Sequence, residues 1–182
     1  MRFYQETRLR DGTPCILRSP EPSDAAAILA HMEKTSGETD YMLRYPDEVT
    51  RGVEAEKSYL RELLESPRHL MIAAEIDGRI VSNAGLNPIG AREKIRHRAS
   101  FGISVQRAYW GCGVGTLTLR ALLAKAREMG YTQVELDVVS ENARAIALYE
   151  KLGFVRTGVI PNAFHMRDGR ALSLDYMVLA LK

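Results

Sequence analysis

Val105-Gln106-Arg107-Ala108-Tyr109-Trp110-Gly111-Cys112-Gly113-Val114-Gly115-Thr116 decides how the rest of this chain is read. Before it, Ser100 to Val105 has a strand's alternation. After it, Leu119, Leu122, Leu123 and Ala126 recur at helical spacing. Between the two lie glycines at alternate positions. A strand that turns through glycines into a helix start exposes free backbone N–H groups at the positive end of a helix dipole. Such a turn is suited to an anion such as phosphate.

Three readings of the turn stand side by side. A nucleoside-triphosphate loop needs four residues between its glycines and then Lys-Ser/Thr, and neither feature is present. A dinucleotide fingerprint needs a third glycine where Thr116 stands, although Glu135 and Asp137 fall about where a ribose-binding acid would. A glycine-rich turn with no ligand is the third.

Outward from the turn, the chain reads in short elements. Residues 1–12 form an N-terminal extension ending at Asp11-Gly12, and residues 13–182 a single domain. Cys15–Leu17 is a short strand. Ser23 or Asp24 caps a helix to about Lys34, with Ile28, Leu29 and Met32 inward. Thr35 to Glu48 reads as a loop, and Val53 to Glu65 as a second helix. Leu70–Ile76 and Arg79–Pro88 are strands around the hairpin signal Asp77-Gly78. A basic turn from Gly90 to Arg98 leads into the strand Ala99–Val105. The helix after the glycines stops at Gly130, and Gln133–Val138 is a strand. Asn142–Leu152 is a helix closed by Gly153. Phe154–Ile160 is a strand, Pro161–Arg170 a loop and Ala171–Leu181 the last strand. The expected fold is α/β (α+β): a mixed, mostly antiparallel central sheet with helices on both faces. The strand-helix-strand unit around the glycines forms a right-handed parallel crossover.

The 182 residues are 46% hydrophobic and 26% charged, with a net charge of +2, which describes an ordinary soluble globular chain. That balance argues against nucleic acid or a membrane surface as partner. Cys15 and Cys112 are far apart and show no metal spacing, so free thiols, a cytoplasmic location and no metal are expected. The first residues lack the apolar run of a signal peptide.

Two segments carry a family resemblance. Trp110-Gly111-Cys112-Gly113-Val114-Gly115 is similar to the Gln/Arg-x-x-Gly-x-Gly/Ala loop of the GNAT superfamily of N-acetyltransferases, with Trp110 where that family usually has Gln or Arg. Asn142 to Phe154 resembles the same family's Asn-x-x-Ala-x-x-Leu-Tyr-x-x-x-Gly-Phe segment. The resemblance runs over nearly the whole predicted element order and leaves out residues 1–12.

The resemblance implies an N-acetyltransferase that moves an acetyl group from acetyl-CoA to a primary amine by direct attack in a ternary complex. Amides from Gly111 through Cys112, Gly113, Val114 and Gly115 to Thr116 would hold the pyrophosphate. Backbone groups of Ile103 and Val105 would pair with the pantetheine arm, lying between that strand and Gln133–Val138. A backbone N–H near Val105 would face the developing oxyanion. Asn142 and Tyr149 share a helix face about 10 Å apart. Asn142 is a helix cap, a cofactor contact, or both. Tyr149 is the implied general acid for the departing thiolate, with core packing as its plainer role. No general base stands out, and Glu75 and His97 are the candidates. The acceptor, a small-molecule amine or a protein N-terminus, is expected between Thr35–Glu48 and Pro161–Arg170, near Tyr41, Tyr45, Asn162, Phe164 and His165. A homodimer is a further expectation from the family. A non-catalytic acyl-CoA-binding module on the same fold is the alternative.

Overall fold

The computed structural model describes residues 1–181. Eight strands form one sheet: β1 (Tyr4–Arg8), β2 (Pro14–Arg18), β3 (Leu70–Ile76), β4 (Arg79–Pro88), β5 (Arg98–Val105), β6 (Gln133–Val139), β7 (Val155–His165) and β8 (Ala171–Ala180). Their spatial order is β1-β2-β3-β4-β5-β6-β8-β7. All neighbours are antiparallel except β5 and β6. The helices are α1 (Ala25–Gly37), α2 (Val53–Glu65), α3 (Val114–Glu128) and α4 (Ala143–Lys151).

The sheet has two covered faces. Alternate residues of β5, Phe101, Ile103 and Val105, pack with Leu119 and Leu122 of α3 and Tyr149 and Leu148 of α4 in the main core. On the opposite face, Ala25 of α1 packs with Leu60 and Leu63 of α2, and Ile28 packs with Ala73 and Ile80 of the sheet. The even-numbered side chains of β5 therefore face α1 and α2. This follows from the period of two along a strand.

Two segments differ from the sequence expectation. Tyr4–Arg8, within the expected N-terminal extension, pairs with β2 and forms one edge of the sheet. It has little apolar alternation because nearly all its residues are exposed. Pro161 to His165, expected in a loop, belongs to β7. The strand passes through an irregularity between Ile160 and Phe164, where Asn162 takes a positive φ of 53°. The irregularity accommodates a proline within an edge strand.

Candidate active site

The parallel pairing of β5 with β6 is short. It joins Arg98, Ala99 and Ser100 to Gln133, Val134 and Glu135 and then stops. Beyond it β5 continues to Val105 and β6 to Val139, so the two strands diverge into a wedge-shaped cleft. Gln106 donates its N–H to the Val81 carbonyl at 2.9 Å, with Val105 opposite Ser82 and Ile103 opposite Ala84. Ladder bonds to β4 thus fall at even-numbered positions. The backbone groups of Ile103 and Val105 point away from β4, into the cleft.

The glycine turn stands at the mouth of this cleft. Gly113 is the N-cap of α3 with φ 94°, and among the described residues no side chain caps the helix. The first backbone bond into the helix is from Leu117 to Gly113, and among the described residues no acceptor serves the N–H groups of Gly113, Val114, Gly115 and Thr116. A Cβ on Gly115 would lie 3.3 Å from Leu148 and 3.6 Å from Val105, so this glycine sets how closely α3, α4 and β5 approach. The side chain of Val114 is buried in the core, which leaves its amide as the part that faces the turn. Cys112 is half-buried, its Sγ 3.8 Å from the Trp110 carbonyl.

Trp110 acquires a role that sequence did not reveal. Its indole N–H donates to the Val105 carbonyl at 2.7 Å. Arg144 of α4 stacks 4.3 Å from its ring and Arg107 5.4 Å. The indole braces the turn against the end of β5 and gathers two guanidinium groups beside the uncapped helix start. It also occupies the Val105 carbonyl, leaving that residue's N–H as its cleft-facing group.

Tyr149 and Asn142 stand where α4 meets the cleft. The Tyr149 ring packs edge-on against Phe101 at 5.7 Å and against Phe154 at 6.0 Å. Phe101 is the first β5 residue past the last β5–β6 pair, so the phenol sits at the base of the wedge. Its hydroxyl has no hydrogen-bond partner among the described residues, and burial pushes its pKa up, so it keeps its proton. Asn142 caps α4, its Oδ1 accepting from the Ala145 N–H at 3.2 Å.

Neither expected base candidate reaches the cleft. Glu75 is held by Arg18 at 2.7 Å in a network that includes Asp24. It lies on β3, two strands from β5, about 10 Å at the usual strand spacing. His97 is exposed just before β5, some six residues from Ile103, about 20 Å along the chain's extended direction.

A different carboxylate is placed there. Asp137 lies two residues past the last β5–β6 pair, on the face opposite Tyr149. Continued register would set it opposite Gly102, and nothing lies within 4 Å of a Cβ on Gly102. Asp137 is exposed and makes no hydrogen bond or ion pair among the described residues. Partial desolvation of its carboxyl by the flanking strands, with the charge of Glu135 nearby, raises its pKa. Its neighbour Glu135 is committed: Arg98, Tyr176 and Gln133 all bond it. Those bonds outweigh burial, which acts to raise its pKa, and hold the carboxyl down at about 2. The sequence did contain Asp137, but only as one of two acids on a strand. Nothing local separates the paired acid from the free one.

A strap crosses this face. The segment after α1 reaches the β7–β8 turn, where the Arg167 N–H donates to the Tyr45 hydroxyl at 2.9 Å. Arg167 also pairs with Asp47 at 2.9 Å, and Arg170 with Asp40 at 2.7 Å. The two loops expected to enclose the acceptor are therefore fastened together, with Tyr45 at the junction and Tyr41 more exposed nearby on the strap. Phe164 and His165 pair with Leu172 and Ala171 at the end of β7.

Residues 36–154 match the Acetyltransferase (GNAT) family. The chain belongs to this family. An acetyltransferase of the GNAT family from Streptococcus pneumoniae superposes with a TM-score of 0.87 at 25% identity, over 92% of this chain and 99% of that one. The yncA protein of Salmonella typhimurium, solved with its cofactor acetyl-CoA, gives 0.80 at 23% identity, over 92% and 94% of the two chains. Among curated proteins, the N-alpha-acetyltransferase RimI of Mycobacterium tuberculosis is 35% identical over 53% of this chain and 58% of its own length. The L-methionine sulfoximine/L-methionine sulfone acetyltransferase of Salmonella typhimurium is 29% identical over 66% of this chain and 68% of its own. Human N-acetyltransferase 8B is 33% identical over 56% of this chain and 44% of its own length, so the chain spans about half the length of this relative and of RimI. GNAT acetyltransferases use acetyl-CoA, and the uncapped helix start and open cleft of this chain fit such a molecule. Among the described residues no cluster of side chains could hold a metal ion, and no helix is long and apolar enough to cross a membrane.

Proposed function

We propose that this GNAT chain is an acetyl-CoA-dependent N-acetyltransferase acting on a primary amine by direct attack in a ternary complex. One observation carries the reading. The wedge between β5 and β6 has a protonated phenol, Tyr149, on one face and an unpaired carboxylate, Asp137, on the other, with a cradle of free N–H groups at its mouth.

Acetyl-CoA supplies a thioester, whose transfer to an amine releases a thiolate. The N–H groups of Gly113 to Thr116, with Arg107 and Arg144, bind the pyrophosphate. The N–H groups of Ile103 and Val105 face the pantetheine arm, and one near Val105 stabilises charge on the carbonyl oxygen. Tyr149 gives its hydroxyl proton to the leaving sulfur. Asp137, in place of Glu75 or His97, takes the proton from the amine at a carboxylate oxygen. Its raised pKa brings it nearer that of the amine it serves. Gly102 leaves the room in which the amine stands. Relatives named for protein N-termini and for a small amino-acid analogue support an amine acceptor of either kind.

Calorimetry with acetyl-CoA and a thiol-release assay over a panel of amines and N-terminal peptides test the reading. Binding followed by turnover of at least one amine is expected. Well-folded protein that does not bind acetyl-CoA sinks it. Binding without turnover of any amine favours the non-catalytic acyl-CoA-binding module.

A further inference from the structure

His31 of α1 is 2% exposed, and both of its ring nitrogens are engaged across the boundary between helix and sheet. Nε2 lies 2.8 Å from Ser104 Oγ, and Nδ1 lies 3.3 Å from Gln106 Nε2. The Gln106 amide is fixed by its other partners. Its oxygen accepts from Lys34 at 2.9 Å, and its nitrogen donates to the Ile80 carbonyl at 2.9 Å. The ring thus sits between the Ser104 hydroxyl and the Gln106 amide, with the Ile80 backbone as a further hydrogen-bond partner. Burying an imidazole is costly unless its polar atoms are paired, and a leucine would pack this helix face without that requirement.

The two partners flank one residue. Ser104 and Gln106 bracket Val105, whose N–H faces the cleft and whose carbonyl is taken by Trp110 at 2.7 Å. We infer that His31 is a positioning residue, fastening α1 to Ser104 and Gln106 so that the Val105 N–H keeps the direction the acyl group requires. The inference rests on the N-acetyltransferase reading. It predicts that loss of the ring loosens the end of β5 while the pyrophosphate turn, held by other contacts, is unaffected.

The test uses the full chain with His31→Ala, His31→Gln and Ser104→Ala. His31→Gln restores a polar amide near the Nε2 position, and Ser104→Ala removes the same bond from the other side with little change in volume. Expected are a fall in kcat of about tenfold or more for His31→Ala, an intermediate value for His31→Gln, and a calorimetric Kd for acetyl-CoA within about threefold of wild type in all three. Hydrogen exchange of the unliganded protein should be faster across residues 104–107 in His31→Ala and Ser104→Ala, with the residue 111–116 turn unchanged. Acetyl-CoA affinity and kcat falling together with thermal stability, or exchange at 104–107 unchanged, overturns the inference. Should the wild type turn over no amine, the functional reading fails, and the exchange pattern still decides whether His31 positions this segment.

Discussion

The indole N–H of Trp110 bonds the carbonyl of Val105 at 2.7 Å, tying the glycine turn to the strand that leads into it. The family's usual Gln or Arg is absent here, yet two guanidinium groups flank the same place, Arg144 and Arg107 over the indole. Trp110→Phe keeps the ring and removes the donor. The bond contributes about 1 kcal/mol, so acetyl-CoA affinity should weaken roughly fivefold by calorimetry. Trp110→Ala, which also releases both arginines, should weaken it further. Equal affinities for the two variants would show that the ring itself does nothing for the turn.

Tyr149→Phe separates acid catalysis from packing. The hydroxyl has no partner among the described residues and the ring packs against Phe101 and Phe154, so the variant retains the ring contacts and nearly all of the stability. A general acid contributes about 100- to 10,000-fold, and kcat should fall into that range with acetyl-CoA affinity unchanged. Because burial raises the pKa of this phenol, its loss of a proton should not appear as an alkaline limb near neutral pH. Full turnover by the variant, with chemistry still rate-limiting, would remove Tyr149 from the mechanism.

Asp137 acts only when ionised, and its pKa is raised above the ordinary aspartate value by burial and by Glu135. Activity should therefore be lost as pH falls through that raised pKa, and retained above it. Asp137→Asn should abolish this acid limb and lower kcat by about 100-fold or more. An unchanged limb in Asp137→Asn would assign it to another group.

His31 predicts a pH dependence of stability. Burial lowers its pKa from 6.5 to about 4 in the folded chain. The unfolded chain thus binds a proton near pH 6.5 that the folded chain refuses until about pH 4. Stability contributed by the neutral ring is full above pH 6.5, declines as pH falls toward 4, and is level below it. The loss is on the order of 3 kcal/mol. Denaturant unfolding of wild type and His31→Gln at a series of pH values should show a shallower slope in the variant over this window.

Much of the fold was legible because local signals and tertiary requirements agreed. Strand alternation, the Asp77-Gly78 hairpin and the Asn142 cap each depend on neighbours in sequence, and the glycine turn likewise announces its own backbone. The expectations fell short where an edge strand has no buried face to mark it, as at Tyr4–Arg8, or where an irregularity lets proline into a strand, as at Pro161. The site divides the same way. Gly113 and Tyr149 sit in motifs, whereas His31 reads as one polar residue on a helix until the sheet brings Ser104 and Gln106 to it. What sets Glu135 apart from Asp137 is its partners, Arg98 and Tyr176, which come from other strands.

Gly102 offers a test confined to the acceptor side. It lies on the α1 face of β5 opposite Gly85, outside the set of residues with positive φ, and a Cβ placed on it meets nothing within 4 Å. A side chain there is compatible with the strand, so Gly102→Leu should fold and bind acetyl-CoA as wild type does. It fills the space opposite Asp137 in which the amine is proposed to stand. Acceptor KM should rise at least about tenfold, or turnover should disappear for bulky amines first, with the acetyl-CoA Kd unchanged. An acceptor KM left at the wild-type value, in protein shown to be folded, would move the amine's position away from this trough and with it the assignment of Asp137.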